Sequence, residues 1–447
     1  MKNSLLVRSA SLFLVFSLSF LSCPMARAES AAAQAEPKNP IEPYAQSEGP
    51  PLTLQDCFKL ALDVSDTVAI QREAIARANA QMFIAASEAL PEIDYVMTRE
   101  TQNNPGIIAT GGTLVDSNTK QRQFTISQPV FQGFKAVGAI SGAGSFKQQQ
   151  KDTWIRTKEL LYQDVAAAFY GVLRYQKEIG ITREIHELLE QRIKELEERE
   201  KIGRSRTSEV ATARTSLDSL EASLAGLKGS LATFQFLLEY LIGMEIQNRK
   251  LDDKWNQDPP TLNLTDYLIK ANSRSDVQAA EQAVKTAWRG ILVAQSGFWP
   301  TANLGYTKFT HREGPFADVN WDLLLTMTVP LFSGTQTIGQ VKDAVGALKQ
   351  QKSFFSLAKR QAVLEIKQSY DGWRFSHEEY LAFHKAVDAA TESYKLQTEE
   401  YRRSLVSNLD VLAALQSLNN TRTSENQAFY QMKLDEARLK VATGEVL

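Results

Sequence analysis

Gln128-Pro129-Val130-Phe131-Gln132-Gly133 recurs 201 residues on within Thr328-Val329-Pro330-Leu331-Phe332-Ser333-Gly334. Each copy ends an alternating apolar-polar run and opens a long stretch without proline. Proline cannot donate to a sheet ladder and glycine relaxes the backbone, so Pro-x-Phe-x-Gly suits a joint where a strand stops and the chain turns into a helix. Two such joints at corresponding places predict two copies of one strand-and-helix unit.

Upstream of the first joint, Val68, Ile75, Ala78, Met82, Ala85 and Ala89 keep the three-four spacing of a helix that packs along a neighbour, and Pro91 ends it. Ile93, Tyr95 and Met97 then alternate with Asp94, Val96 and Thr98, and Phe124 and Ile126 alternate with polar residues up to Pro129. This pattern predicts a hairpin of two strands of about ten residues each, apolar on one face and polar on the other. Its connection holds Asn103-Asn104-Pro105-Gly106 and Gly111-Gly112.

Downstream, Leu161, Val165, Ala168, Val172, Tyr175 and Ile179 mark a helix from Phe134 to about Ile202. At ~1.5 Å per residue it is roughly 100 Å long, too long for a globular core to surround. Gly203 to Ser208 breaks it. Val210, Ala213, Leu217, Leu220, Leu224, Leu227, Leu231, Phe234, Leu238 and Leu241 then form a heptad seam that returns antiparallel and ends at Gly243.

The plan then restarts. Val277, Ala280, Val284, Ala287, Ile291, Ala294 and Phe298 repeat the helix stripe, with Pro300 in the place of Pro91. Leu304 and Tyr306 mark a third strand, and Trp321, Leu323, Leu325, Met327 and Val329 a fourth. Beyond the second joint the offset stays 201 for Val165 and Ile366, Phe169 and Tyr370, Glu209 and Asp410, and Gly243 and Gly444. A fixed register over so long a span is the mark of internal duplication. The expected organisation is a signal peptide at 1–28, an extended Pro-rich tether at 29–51, a first repeat at 52–250, a linker at 251–263 and a second repeat at 264–447.

Lys2 and Arg8, the apolar run Leu12 to Leu21, and Ala26-Arg27-Ala28 before Glu29 read as a secretory signal. Cleavage there is the expected processing, with lipidation at Cys23 as the alternative. It removes three positive charges and no acid, taking the formal charge from −2 to −5, which argues against nucleic acid as a partner. Cys57 is then the only thiol, so no intramolecular disulfide forms. Beyond the signal, no apolar run approaches the ~18 to 20 residues of a spanning helix, so any membrane span is built of strands.

Four strands cannot close a barrel, since the smallest membrane barrels use about eight, and open edges are not tolerated in lipid. Three copies would supply twelve strands. The expected fold is therefore an α+β membrane protein, a trimeric twelve-stranded β-barrel continuous with a long α-helical barrel and built from two internal repeats. Asn419-Asn420-Thr421-Arg422 in the last helix fits a water-facing wall.

With its duplicated helix, hairpin and long-helix-pair plan, its two joints and Leu409-Asp410-Val411-Leu412-Ala413-Ala414, the chain from Leu52 to Gly444 resembles the TolC-type outer-membrane efflux family. The resemblance implies a homotrimeric channel in the outer membrane of a Gram-negative-type cell, extending into the periplasm. It also implies a periplasmic adaptor and an inner-membrane pump as partners. The chain departs from the pattern at its second tip, where Ser404-Leu405-Val406 stands in place of Gly-x-Arg, and at Ala413 in place of a second Asp.

Asp410 is the candidate periplasmic gate, because three symmetry-related carboxylates at a narrow end would repel one another and attract cations. It is equally a helix N-terminal acid placed after Ser407. Gly203, Arg204, Arg206, Ser404 and Ser407 are the candidate adaptor-contacting tips, although ordinary interhelical turns have the same composition. Trp299, Tyr306 and Trp321 are candidate anchors at the membrane interface, in contact with lipid. His377-Glu378-Glu379 lacks a second His four residues on. No phosphate loop, nucleophile triad or metal cluster is legible, so neither an enzyme nor a cofactor is expected. A periplasmic adaptor or a structural coiled-coil protein is the alternative reading.

Overall fold

The computed structural model describes residues 50–101, 118–246, 249–253, 263–313 and 316–446. The signal peptide, nearly all of the tether, the first hairpin's Asn- and Gly-rich connection, and Trp255 and Pro259-Pro260 of the linker lie outside the described residues.

Each half begins with a short capped helix. In α1, Leu54–Val64, the Thr53 hydroxyl accepts from the Asp56 amide while the Asp56 carboxylate accepts from the Thr53 amide. Asn263 and Asp266 form the same reciprocal cap on α2, Leu264–Ile269. This arrangement satisfies two N-terminal amides that no helical carbonyl can reach. The expected apolar stripes become α3, Asp66–Ser87, and α4, Ser275–Gln295.

The four strands are β1, Glu92–Thr101, β2, Asn118–Gln132, β3, Thr301–Arg312, and β4, Trp321–Thr328. They form one antiparallel sheet in the order β1-β2-β3-β4, so β1 and β4 are edges with no strand beyond them among the described residues. The pairs Tyr95↔Phe124, Phe124↔Lys308, Ile126↔Tyr306 and Tyr306↔Leu323 set the faces. Ile93, Tyr95, Met97, Phe124, Ile126, Leu304, Tyr306, Leu323, Leu325 and Met327 fall on one face. Asp94, Thr98, Thr125, Ser127, Asn303, Thr307, Asp322 and Thr326 fall on the other. The strand period of two thus delivers the apolar and polar faces that the alternation predicts, with Arg122 and Lys308 interrupting the apolar face and Val96 and Leu324 the polar one.

At the first joint the strand does not stop at proline. β2 runs on to Gln132, with a register shift between Pro129 and Phe131. The ladder with β1 ends at Ser127, so Pro129 lacks a neighbour on that side and the bulge accommodates its missing donor on the other. At the second joint β4 ends at Thr328, before Pro330, as expected.

The long helices are α5, Lys135–Lys201, and α6, Thr207–Ile242, in the first half, and α7, Gln336–Arg402, and α8, Asn408–Thr443, in the second. The pairs have identical lengths, 67 and 67 residues, then 36 and 36, each at the same 201-residue offset. Arg214 to Glu197 and His186 to Glu221 run α6 antiparallel to α5, and His384 to Glu425 does the same for α8 and α7. Val210, Ala213 and Leu238 of the expected seam are buried, and Leu217, Leu220, Leu231 and Phe234 pack against the same clusters.

Two of the three apolar clusters are copies of each other. Phe58, Val68, Leu161, Val165, Phe169 and Leu238 build the first, and Tyr267, Val277, Ala362, Ile366, Tyr370 and Leu439 occupy the equivalent places in the other half. The third joins all four long helices near their turns, through Leu189, Leu196, Val210, Tyr401, Val411 and Leu415. Burial in this protein is distributed along rods and not gathered into a sphere.

Candidate functional site

The functional surfaces lie at the two ends of the helices. At the sheet end, Trp321 and Tyr306 stack in a tilted arrangement with ring centroids 6.2 Å apart. Trp299 lies at the opposite end of β3, where its ring meets Phe134 edge-on at 6.0 Å and its Cβ would lie 2.6 Å from a methyl group placed on Gly133. The sequence therefore places two aromatic levels, not one cluster. Thr301 to Lys308, the part of β3 paired with β4, spans roughly 23 Å at ~3.3 Å per residue, close to the apolar band of a membrane strand. Gly133 and Gly334 carry the joints in left-handed conformation, φ 59° and 65°, and Phe134 follows at φ 66°.

At the far end the two turns pack into one cluster, which brings the tip residues of both halves together. Gly203, Arg204, Arg206, Ser404 and Ser407 are exposed there. Arg206 is the N-cap of α6 without a side-chain bond, while Ser205 donates to Glu209 at 2.6 Å. Ser407 caps α8, and Asp410 closes the cap by accepting from the Ser407 hydroxyl at 2.6 Å and its amide at 2.9 Å. These two donors, hydroxyl first, hold the exposed Asp410 carboxyl below the usual carboxylate range. Within one chain, Asp410 therefore serves the helix terminus.

Beneath the tips is a constellation that sequence reasoning missed. Arg192, 4 % exposed, donates from Nε to Asn408 Oδ1 at 2.9 Å and lies 3.8 Å over the Tyr401 ring, with Arg199 4.7 Å from the same ring. Glu195 pairs with both arginines. The signal was present, because Arg192 keeps three-four spacing with Ile185, Leu189 and Leu196 and so faces inward. It was hidden by the charge density of its surroundings.

Midway along the helices, Arg156 and Arg274 bind the last carbonyls of α8, at Val441 and Ala442, and share the carboxylate of Glu365. Lys433 is buried and paired with Asp253 of the linker. Burial lowers its ammonium below the ordinary lysine range, and Asp253 offsets part of that. Burial also pushes the Cys57 thiol up to about 12, so it is inert. Among the described residues no group of three or more His, Cys, Asp or Glu is placed to hold a metal, and no helix is long and apolar enough to cross a membrane. His377 stacks on Trp373 one turn earlier, at 5.6 Å.

The family model for outer membrane efflux proteins matches residues 58–244 and 269–445. The chain belongs to the outer membrane efflux protein family. It is 23% identical over 387 residues to outer membrane protein TolC of Salmonella enteritidis, covering 80% of this chain and 75% of that one. It is 21% identical over 368 residues to the cation efflux system protein CusC of Escherichia coli O157:H7, covering 76% and 77%. Its fold matches the crystal structure of outer membrane protein VceC of Vibrio cholerae with a TM-score of 0.78 at 18% identity, over 88% of this chain and 96% of that one. As an outer membrane efflux protein it resides in the outer membrane of a Gram-negative-type cell and reaches into the periplasm. The family is one of transport proteins, not of enzymes.

Proposed function

We propose that three copies of this chain form the exit duct of a tripartite efflux or type I secretion system. In this reading, twelve strands close a barrel in the outer membrane and the long helices continue it as a periplasmic tunnel. One observation carries it. A four-stranded sheet with one apolar face has both edge strands unpaired, and it feeds directly into two 67-residue helices. In lipid those edges must be closed by other copies.

The rest of the organisation follows from the same reading. The repeats at 52–250 and 264–447 are joined by 251–263 and preceded by a signal at 1–28 and a tether at 29–51. Trp321 with Tyr306, and Trp299 at the joint, sit at the two lipid interfaces as anchors. The tips at Gly203, Arg204, Arg206, Ser404 and Ser407 meet a periplasmic adaptor, which an inner-membrane pump supplies. Asp410, repeated three times, narrows that end. The adaptor alternative would have one helical hairpin, whereas the described residues hold two.

Purified in detergent, the protein should have the mass of three chains and open ion-conducting pores in planar bilayers. A soluble monomer extracted without detergent, with no conductance, overturns the proposal.

A further inference from the structure

We propose that the apolar face of the sheet ends in a binding site for lipid A, the phosphorylated glycolipid of the outer leaflet of a Gram-negative-type outer membrane. The proposal rests on the barrel reading above, which turns this face toward lipid, and adds a ligand to it.

The strand registers order the face into rows. Ile93, Ile126, Tyr306 and Leu323 pair in turn across all four strands, and Tyr95, Phe124, Lys308 and Trp321 form the next row away from the helices. Beyond it stand Met97, Arg122 and His311, and then Arg99 opposite Lys120. The face is therefore apolar up to the rings and basic above them. Tyr95 lies 4.7 Å from Phe124, and Tyr306 6.2 Å from Trp321, between ring centroids. Aromatic rings settle where hydrocarbon meets headgroups, so the cations beyond them stand at headgroup depth. The joints and long helices leave from the other end of the strands, which makes this the leaflet away from the periplasm.

The charges at that depth lack a counter-ion. Arg99, Lys120, Arg122 and Lys308 are all exposed, and none forms an ion pair with a carboxylate among the described residues. Glu313 is already engaged, with His311 Nε2 3.1 Å from its Oε1 and the Lys120 amide donating to its Oε2 at 2.8 Å. Asp94 and Glu100 fall on the opposite face by strand parity. Like charges directly opposite one another, as Arg99 and Lys120 are, destabilise a sheet, and an anion shared between them removes the repulsion. Lys308 lies one row below Arg122 on the next strand and Lys120 one row above it on the same strand. The four cations thus occupy roughly 13 Å along the strands and about 10 Å across them. A patch of this size and charge suits the two phosphates of one glycolipid head better than the single phosphate of a phospholipid. Arginine supplies paired donors that match phosphate oxygens, and Leu323 and Leu325, exposed below the rings, offer apolar surface to the acyl chains.

The full chain, purified in detergent, tests this by native mass spectrometry with bisphosphorylated lipid A, the same lipid stripped of its phosphates, and phosphatidylglycerol. The wild type should bind lipid A about tenfold more tightly than either other lipid. Arg122→Gln with Lys308→Gln should abolish that preference, as should Arg99→Gln with Lys120→Gln, while Lys135→Gln at the joint end should leave it intact. Arg122→Lys keeps the charge but not the paired donors and should fall between. Phosphate removal that costs the wild type and both double variants the same factor overturns the site and leaves the barrel standing. Phosphatidylglycerol bound as tightly as lipid A overturns the glycolipid as its ligand. A wild-type protein that is monomeric and opens no pores overturns the barrel reading itself.

Discussion

Gly203 and Ser404, 201 residues apart, hold the same left-handed backbone, φ 70° and 61°. The second tip has lost the glycine but not the turn. An L residue in this region is strained by about 1–2 kcal/mol, while glycine costs roughly 0.5–1 kcal/mol of unfolded-state entropy. Ser404→Gly is therefore expected to stabilise by up to about 1 kcal/mol, and Gly203→Ser to destabilise by a similar amount, measured by denaturant unfolding.

The Lys433–Asp253 pair ties the inter-repeat segment to α8. Asp253→Asn leaves a buried ammonium without its countercharge and should cost about 3 kcal/mol. Adding Lys433→Met should restore most of the loss, because an apolar side chain of similar volume replaces the cation. A loss in the double variant equal to the sum of the two single losses would show that the pair is not coupled. A double-mutant cycle in unfolding midpoint makes the comparison.

Asp410 and Ser407 share one cap, which allows charge and capping to be separated. Asp410→Ala should widen the closed channel and raise single-channel conductance, as well as costing about 1 kcal/mol of helix capping. Ser407→Ala removes the cap and keeps the carboxylate, so conductance should stay unchanged. If both variants conduct alike, the cap and not the charge governs the constriction.

His384 Nδ1 lies 2.6 Å from Glu425 Oε1 across the α7–α8 hairpin, with the Tyr380 ring 5.9 Å away. The hydrogen bond and charge of Glu425, with a further contribution from Asp388, raise the imidazole above its ordinary value of 6.5. Because the folded value is the higher one, the stabilisation is full below 6.5 and is lost as pH rises through the folded value. Carbon-labelled histidine spectra should show His384 titrating above 6.5, and Glu425→Gln should bring it back toward that value.

Arg204 and Arg206 are exposed at the first tip. Reversing both charges should weaken site-directed crosslinking to the cognate adaptor and lower efflux severalfold, without affecting the trimer or its conductance. Intact crosslinking would move the contact elsewhere.

Periodicity made the long elements legible. A three-four stripe without proline announced α5 to within one residue at each end, and the 201-residue offset carried α7 with it, because nothing in 67 residues interrupts the backbone ladder. Strand faces were equally legible, since alternation maps directly onto the pleat. Strand ends were not. Pro129 reads as a stop, yet β2 passes it through a bulge, because only the pairing on both sides decides whether a missing donor matters. The Arg192–Tyr401 contact was also hidden, since it joins residues 209 positions apart and depends on which helices become neighbours. Asp410 was legible as a cap from Ser407 three residues before it.

Shifted by the 201-residue offset, the Arg422–Glu184 pair becomes Glu221 and Lys385, the same two charges exchanged between the helices. Two first halves side by side would put Glu184 against Glu221, and two second halves Lys385 against Arg422, acid on acid and base on base. Like charges at such positions repel about as strongly as the correct pairs attract. The two halves are thereby keyed to each other, and in the proposed ring each half would refuse its own kind. Four side chains at equivalent positions thus give the duplicated plan a direction.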